Sequence, residues 1–143
     1  GMVQRANKVA CQYGYNNVYF ILGEIESLPI KTGSVDVVIS NCVINLSPDK
    51  VSTFKEIYRI LRNGGFAMIA DLVTIGDISD LLRKSFEVWC GCIGGALEKR
   101  EYLNKIKQAG FREVFLLADK TFFELGLSNV VGRIESIQVK ANK

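Results

Sequence analysis

Apolar and polar positions follow two rhythms along the chain, and the places where the rhythm changes mark the elements. Val3, Ala6, Val9, Ala10 and Tyr13 recur at helical spacing, and Gly14 stands where such a helix would stop. After a turn at Asn16-Asn17 the pattern tightens into a short apolar run of strand type, Val18 to Leu22. Lys31-Thr32-Gly33-Ser34 is a turn cluster leading to a second strand, Val35 to Ser40. That run is continuously apolar after Asp36, as in a strand buried on both faces. Ser47-Pro48-Asp49 then supplies an N-cap, a proline at the first helical position and an acid near the positive end of the helix dipole. Val51, Phe54, Ile57, Tyr58 and Leu61 form that helix's buried face, and Asn63-Gly64-Gly65 ends it.

A third buried strand is expected over Phe66 to Val73. Ile78, Leu81, Leu82, Phe86 and Trp89 predict a helix, followed by a loop, Gly91-Cys92-Ile93-Gly94-Gly95. Tyr102, Leu103, Ile106 and Ala109 predict another helix, closed by Gly110. Val114 to Leu117 and Ile134 to Val139 are two last strands, separated by a turn-rich segment around Gly126. Strands alternating with helices predict an α/β domain with a mostly parallel sheet.

Composition narrows the function more than the fold. The 143 residues make one domain, enough to bury roughly two-thirds of the unfolded surface. The 18 basic and 15 acidic residues are dispersed, so no basic stripe supports a nucleic-acid or membrane-surface role. No apolar run is long enough to span a bilayer. Four cysteines without CxxC spacing argue against a disulfide framework or a zinc ribbon and favour a reducing cytoplasm. The chain has no histidine, which removes His-metal sites, Ser-His and Cys-His dyads and the commonest general base together.

Three words in the sequence carry a resemblance. They are Gly23-Glu24-Ile25-Glu26-Ser27-Leu28-Pro29, then Ser40-Asn41-Cys42-Val43-Ile44-Asn45-Leu46-Ser47-Pro48-Asp49-Lys50, then Trp89-Cys90-Gly91-Cys92-Ile93-Gly94-Gly95-Ala96-Leu97. In this order and spacing they resemble the arsenite methyltransferases, class I S-adenosylmethionine-dependent enzymes. The resemblance runs from about Met2 to the last strand. It implies a partial Rossmann-like sheet, strands three to seven of the order 3-2-1-4-5-7-6, with the last strand antiparallel. It also implies an S-adenosylmethionine cofactor and a small-molecule substrate.

The resemblance assigns roles to individual positions. Glu24 and Ile25 would meet the adenine of the cofactor, the carboxylate accepting from the amino group and the isoleucine covering the ring. Asn41 and Cys42, at a strand's carboxyl end, would hold the methionine end and the reacting methyl. Cys92 would supply a thiolate to trivalent arsenic, a soft, thiophilic species. The blander readings stay open: a solvated turn acid and a core isoleucine, strand-end capping, a buried inert cysteine. Asp71, ending the third strand, is expected to be structural.

The family's G-x-G-x-G loop and ribose-binding acid have no counterpart in the sequence. Residues 1–143 are therefore expected to form a single truncated methyltransferase-like domain, binding cofactor weakly or not at all and having little or no activity alone. The alternatives are a non-catalytic assembly or binding module and a quinone- or sterol-type methyltransferase fragment. The missing strands would bare an apolar sheet edge, which predicts a homodimer joined through residues 18–45 by strand exchange or edge pairing.

Overall fold

In a computed structural model, residues 1–76, 95–121 and 133–143 can be described. Their elements are α1 (Met2–Gln12), β1 (Val35–Asn41), a short 3₁₀ turn (Ile44–Leu46), α2 (Lys50–Ile60), β2 (Leu61–Ile75), α3 (Lys99–Gln108), β3 (Glu113–Thr121) and β4 (Arg133–Asn142). The helix expected over Ile78–Trp89, the loop with Cys90 and Cys92, and the turn-rich segment around Gly126 lie outside the described residues.

The four strands form one sheet in the order β1-β2-β4-β3. β1 runs parallel to β2, and β4 is antiparallel to both of its neighbours, β2 and β3. Three strands therefore point one way and the last points back, as expected. The β2–β4 ladder runs from Phe66 opposite Asn142 to Ile75 opposite Arg133, and forms the spine of the sheet.

Along β2 the residues Ala67, Ile69, Asp71 and Val73 are buried beneath α2 and α3. The same layer takes Phe54 and Ile57 from α2, Tyr102 and Ile106 from α3, and Ile137, Val139 and Ala141 from β4. The rings of Phe54 and Tyr102 meet edge to face at 5.5 Å, and those of Tyr58 and Phe111 at 5.1 Å. Such pairs contribute about 0.5–1.5 kcal/mol beyond their buried area. Gly110 ends the α3 segment at φ +115°, a conformation that disfavours a side chain.

Four expectations need correction. Val18–Leu22 is not a strand: it is exposed, has no regular structure and pairs with no described strand. Its β-type composition goes unused in this fold, although one edge of β1 stays open among the described residues; Phe20 instead exchanges backbone hydrogen bonds with the Asn7 side chain, at 3.3 and 3.4 Å. The sheet of the described residues is thus four-stranded, lacking the first of the five strands expected. β1 is not buried on both faces either, since Val37 and Ile39 are exposed on the face away from α2 and α3. The N-cap of α2 is Asp49 rather than Ser47, with Oδ1 accepting from the Ser52 amide at 3.1 Å. Finally, α2 stops at Ile60, and Asn63-Gly64-Gly65 is an irregularity within β2, with Gly64 at φ +79°.

Candidate functional site

β1 ends opposite Ala70 and β2 runs on to Ile75, so both strands point their carboxyl ends to the same side of the sheet, the side where open α/β sheets take ligands. Asn41, the last residue of β1, is exposed there and registered against Ala70. Cys42 follows in the left-handed region at φ +55°, uncommon for a residue with a side chain. Its amide donates to Ala70 O at 2.9 Å, the last rung of the parallel ladder.

Beyond that rung β2 would present bare backbone groups, and two short segments supply partners. Asn45 Nδ2 donates to Leu72 O at 2.8 Å, and the Thr74 amide donates to Leu97 O at 2.8 Å. The second contact stations Gly95–Leu97 beside the end of β2. Gly95 is required for this approach, because a Cβ there would sit 1.9 Å from Asn45 O. Gly95–Leu97 is the tail of the glycine-rich word that contains Cys92, and it docks three residues beyond Cys42. Cys92 itself lies outside the described residues.

Under this surface is a buried polar cluster. Tyr102 Oη donates to Asp71 Oδ2, while Asp71 Oδ1 has no partner among the described residues. Burial pushes the Asp71 carboxyl above the ordinary carboxylate range; the Tyr102 hydroxyl, the nearby Cys42 amide and the Lys50 charge act against it. Burial, with Asp71 beside it, drives the Tyr102 hydroxyl upward and keeps it neutral. Lys50 Nζ donates to Asn45 O at 3.2 Å and Ser47 O at 3.1 Å, and burial lowers its affinity for a proton. Asp71 is buried at this point of β2, and its cluster with Tyr102 and the buried Lys50 is not legible in the sequence, since Tyr102 is 31 residues away on α3 and Lys50 belongs to α2.

The word Gly23 to Pro29 folds into a closed loop. A Cβ on Gly23 would come within 2.6 Å of the Pro29 ring, so the two ends of the word touch. Inside the loop the Ser27 amide donates to Glu24 O at 3.1 Å. Glu24 is exposed at its tip, and Ile25 is half-buried against the main core. Ser47 Oγ donates to the Glu26 carboxylate, which ties the loop to the segment following Cys42. Ser47 thereby serves the loop, with Thr53 Oγ1 donating to it at 2.9 Å. Glu24, Ile25, Asn41 and Cys42 thus belong to two segments anchored to each other at one end of the sheet.

No helix among the described residues is long and apolar enough to cross a membrane, and no cluster of potential metal ligands occurs among them.

Comparison with known proteins identifies the family and the fold. A family profile described as methyltransferase domain matches residues 1–110. An arsenite methyltransferase of Halobacterium salinarum is 38% identical over 113 residues, covering 79% of this chain and 29% of the relative. The human arsenite methyltransferase is 41% identical over 105 residues, 70% of this chain and 28% of the relative. The chain therefore spans under a third of the length of these relatives. Among solved structures, an arsenic(III) S-adenosylmethionine methyltransferase from Chlamydomonas reinhardtii superposes with a TM-score of 0.79 at 30% identity. That match covers 94% of this chain and 48% of the other.

Proposed function

The chain belongs to the methyltransferase-domain family, and on that premise we propose that it is part of an arsenite-type methyltransferase, with cofactor and substrate meeting at the carboxyl ends of β1 and β2. The observation that carries this reading is the anchoring of the Glu24–Ile25 turn to the segment that follows the Asn41–Cys42 strand end. S-adenosylmethionine, when bound, supplies a methyl group on a sulfonium. The residues fit such a group: an exposed carboxylate at Glu24 would accept from the adenine amino group, and Ile25 would cover the ring. Asn41 would face the methionine end.

The substrate proposed is trivalent arsenic, a soft acceptor that selects thiolates. Cys92 is the first ligand proposed. Cys42, half-buried at the strand end, is proposed as a second, in addition to its place beside the cofactor. Methyl transfer to an arsenic atom depends chiefly on in-line placement of donor and acceptor, so a chain without histidine suffices. A thiol-based site is suited to a reducing cytoplasm.

This chain contains no G-x-G-x-G loop, so Glu24, Ile25 and Asn41 are its proposed cofactor contacts. At about 1–3 kcal/mol for each hydrogen bond, they support weak binding and little or no turnover by the chain alone. The bare β1 edge further suggests a homodimer through residues 18–45. Calorimetric titration of the chain tests both halves of the reading. Arsenite should bind in the wild type and the Cys11→Ser control but lose affinity in Cys42→Ser and Cys92→Ser. S-adenosylmethionine should bind with no better than millimolar affinity. Arsenite affinity indifferent to both site cysteines would refute the substrate assignment, and micromolar cofactor affinity would refute the weak-binding one.

A further inference from the structure

The loop proposed to face adenine has no regular structure of its own, yet its backbone is held at defined points by side chains from α2. The Leu28 amide donates to Glu56 Oε2 at 2.9 Å. Arg59 spreads its guanidinium over the same stretch. Nη2 donates to Leu28 O at 3.0 Å, and Nη1 donates to Ile30 O at 2.9 Å and Thr32 Oγ1 at 3.0 Å. The two side chains also brace each other, with Arg59 Nε on Glu56 Oε1 at 2.7 Å and Nη2 on Glu56 Oε2 at 2.8 Å. Leu28 is thus held at both its amide and its carbonyl, one residue before the Gly23–Pro29 contact that closes the loop.

Fixing a backbone residue costs about 1–2 kcal/mol in lost freedom, and an isolated surface ion pair returns less than that. Here the pair is only partly exposed, at 33% for the Arg59 side chain and 17% for Glu56, and its hydrogen bonds converge on three alternate residues of one loop, Leu28, Ile30 and Thr32. A planar fork is the chemistry that reaches several carbonyls at once; an ammonium does not reproduce it. Every one of these partners lies between Leu28 and Thr32, immediately after Glu24–Ser27.

We propose that Arg59 and Glu56 are positioning residues for the cofactor-facing loop: from α2 they hold Leu28–Thr32, and so set where Glu24 and Ile25 stand over the end of β1. The two side chains bond to Leu28, Ile30, Thr32 and each other, none of which is a proposed cofactor contact. Their role rests on the reading of Glu24 and Ile25 given above, but the clamp has a readout independent of it. Phe54 and Ile57, which seat α2 on the sheet, are separate from the clamp, so its loss leaves the helix docked.

The experiment compares the wild type with Arg59→Lys, Glu56→Gln and Glu24→Ala, using amide hydrogen exchange and saturation transfer from adenosine. In Arg59→Lys the Leu28 amide should exchange roughly tenfold faster or more, equivalent to about 1.4 kcal/mol, while amides along β2 keep their wild-type rates. The adenosine signal should fall as far as it does in Glu24→Ala, although Arg59 is not itself a proposed nucleoside contact. Glu56→Gln keeps a neutral acceptor for the Leu28 amide and leaves Arg59 on its three loop acceptors, whereas Arg59→Lys releases those three, so Glu56→Gln should give a smaller change. Unchanged Leu28 exchange in Arg59→Lys would overturn the clamp. A released loop with undiminished adenosine contact would overturn its positioning role. If adenosine gives no signal even with the wild type, the cofactor reading of the loop fails, and the exchange rates alone decide the clamp.

Discussion

Asp71 places a carboxyl group in the buried layer beneath the strand ends, where Tyr102 donates to one oxygen and the other has no partner among the described residues. The charged groups near it are Lys50, with Glu101 and Lys105 beyond on α3, and the Cys42 amide and thiol lie above. Burial outweighs these partners, so the folded protein holds the Asp71 proton more tightly than the unfolded chain does. The sign follows directly. Stability from this group is fully present below its unfolded value, 3.8, and is lost as pH rises through the higher folded value. Asp71→Asn removes the titration while keeping much of the shape. The stability of the wild type relative to Asp71→Asn should therefore decrease between pH 3.8 and neutrality, as measured by urea unfolding of both proteins across that range. A difference that stays constant or grows with pH would show that the partners dominate and that the carboxylate is favoured in the fold.

At the scale of elements, the end of β2 is completed by parts that are not strands: the Cys42 amide, the Asn45 side chain and Leu97 O. Gly95→Ala tests this arrangement, because the new methyl would overlap Asn45 O and force the Gly95–Leu97 segment outward. The expected cost is about 1–3 kcal/mol, typical of overpacking, with faster exchange of the Thr74 amide as the local signature. Normal stability and unchanged Thr74 exchange would mean that the segment shifts freely. Much of this level is legible in the sequence. The spacing of Phe54 and Ile57, or of Tyr102 and Ile106, specifies the buried faces of α2 and α3, and Gly110 marks the stop after α3. The three sequence words locate both segments of the candidate site. What the sequence hides is long-range pairing. Ser47 and Asp49 are both able to cap a helix, and only the contact with Glu26 assigns them different work. Arg59 and Glu56 read as an ordinary i, i+3 pair until Leu28 is seen between them, 28 residues from Glu56 and 31 from Arg59. Val18–Leu22 has the composition of a strand, but composition does not name a partner.

For the whole molecule, the unbalanced feature is one side of the sheet. β1 pairs with β2 along one edge, and no described strand pairs with the other. Ile39 is 80% exposed on this strand, and Tyr19 and Leu22 of the unpaired run are 81% and 83% exposed. Elsewhere, Met2, Val9, Tyr15, Val18 and Phe20 line an open apolar groove of about 720 Å³ between α1 and the segment that follows it. Exposed apolar surface on this scale and an open strand edge each favour association. Closure within one chain would require Val18–Leu22 to lie along β1, and it does not do so. We therefore expect a second copy to cover the edge, either by β1 pairing with its symmetry mate or by Val18–Leu22 of one chain adding to β1 of the other. Light scattering at micromolar concentration should give twice the 15.9 kDa chain mass. Ile39→Lys places a charge on the exposed edge and should shift the protein toward monomer, because edge lysines oppose strand addition. The core under α2 and α3 contains no contact of Ile39, so its thermal transition should change little when monomer and dimer are compared at equal occupancy. A wild-type protein that remains at 15.9 kDa across the concentration range would show that the bare edge alone does not drive pairing of this chain.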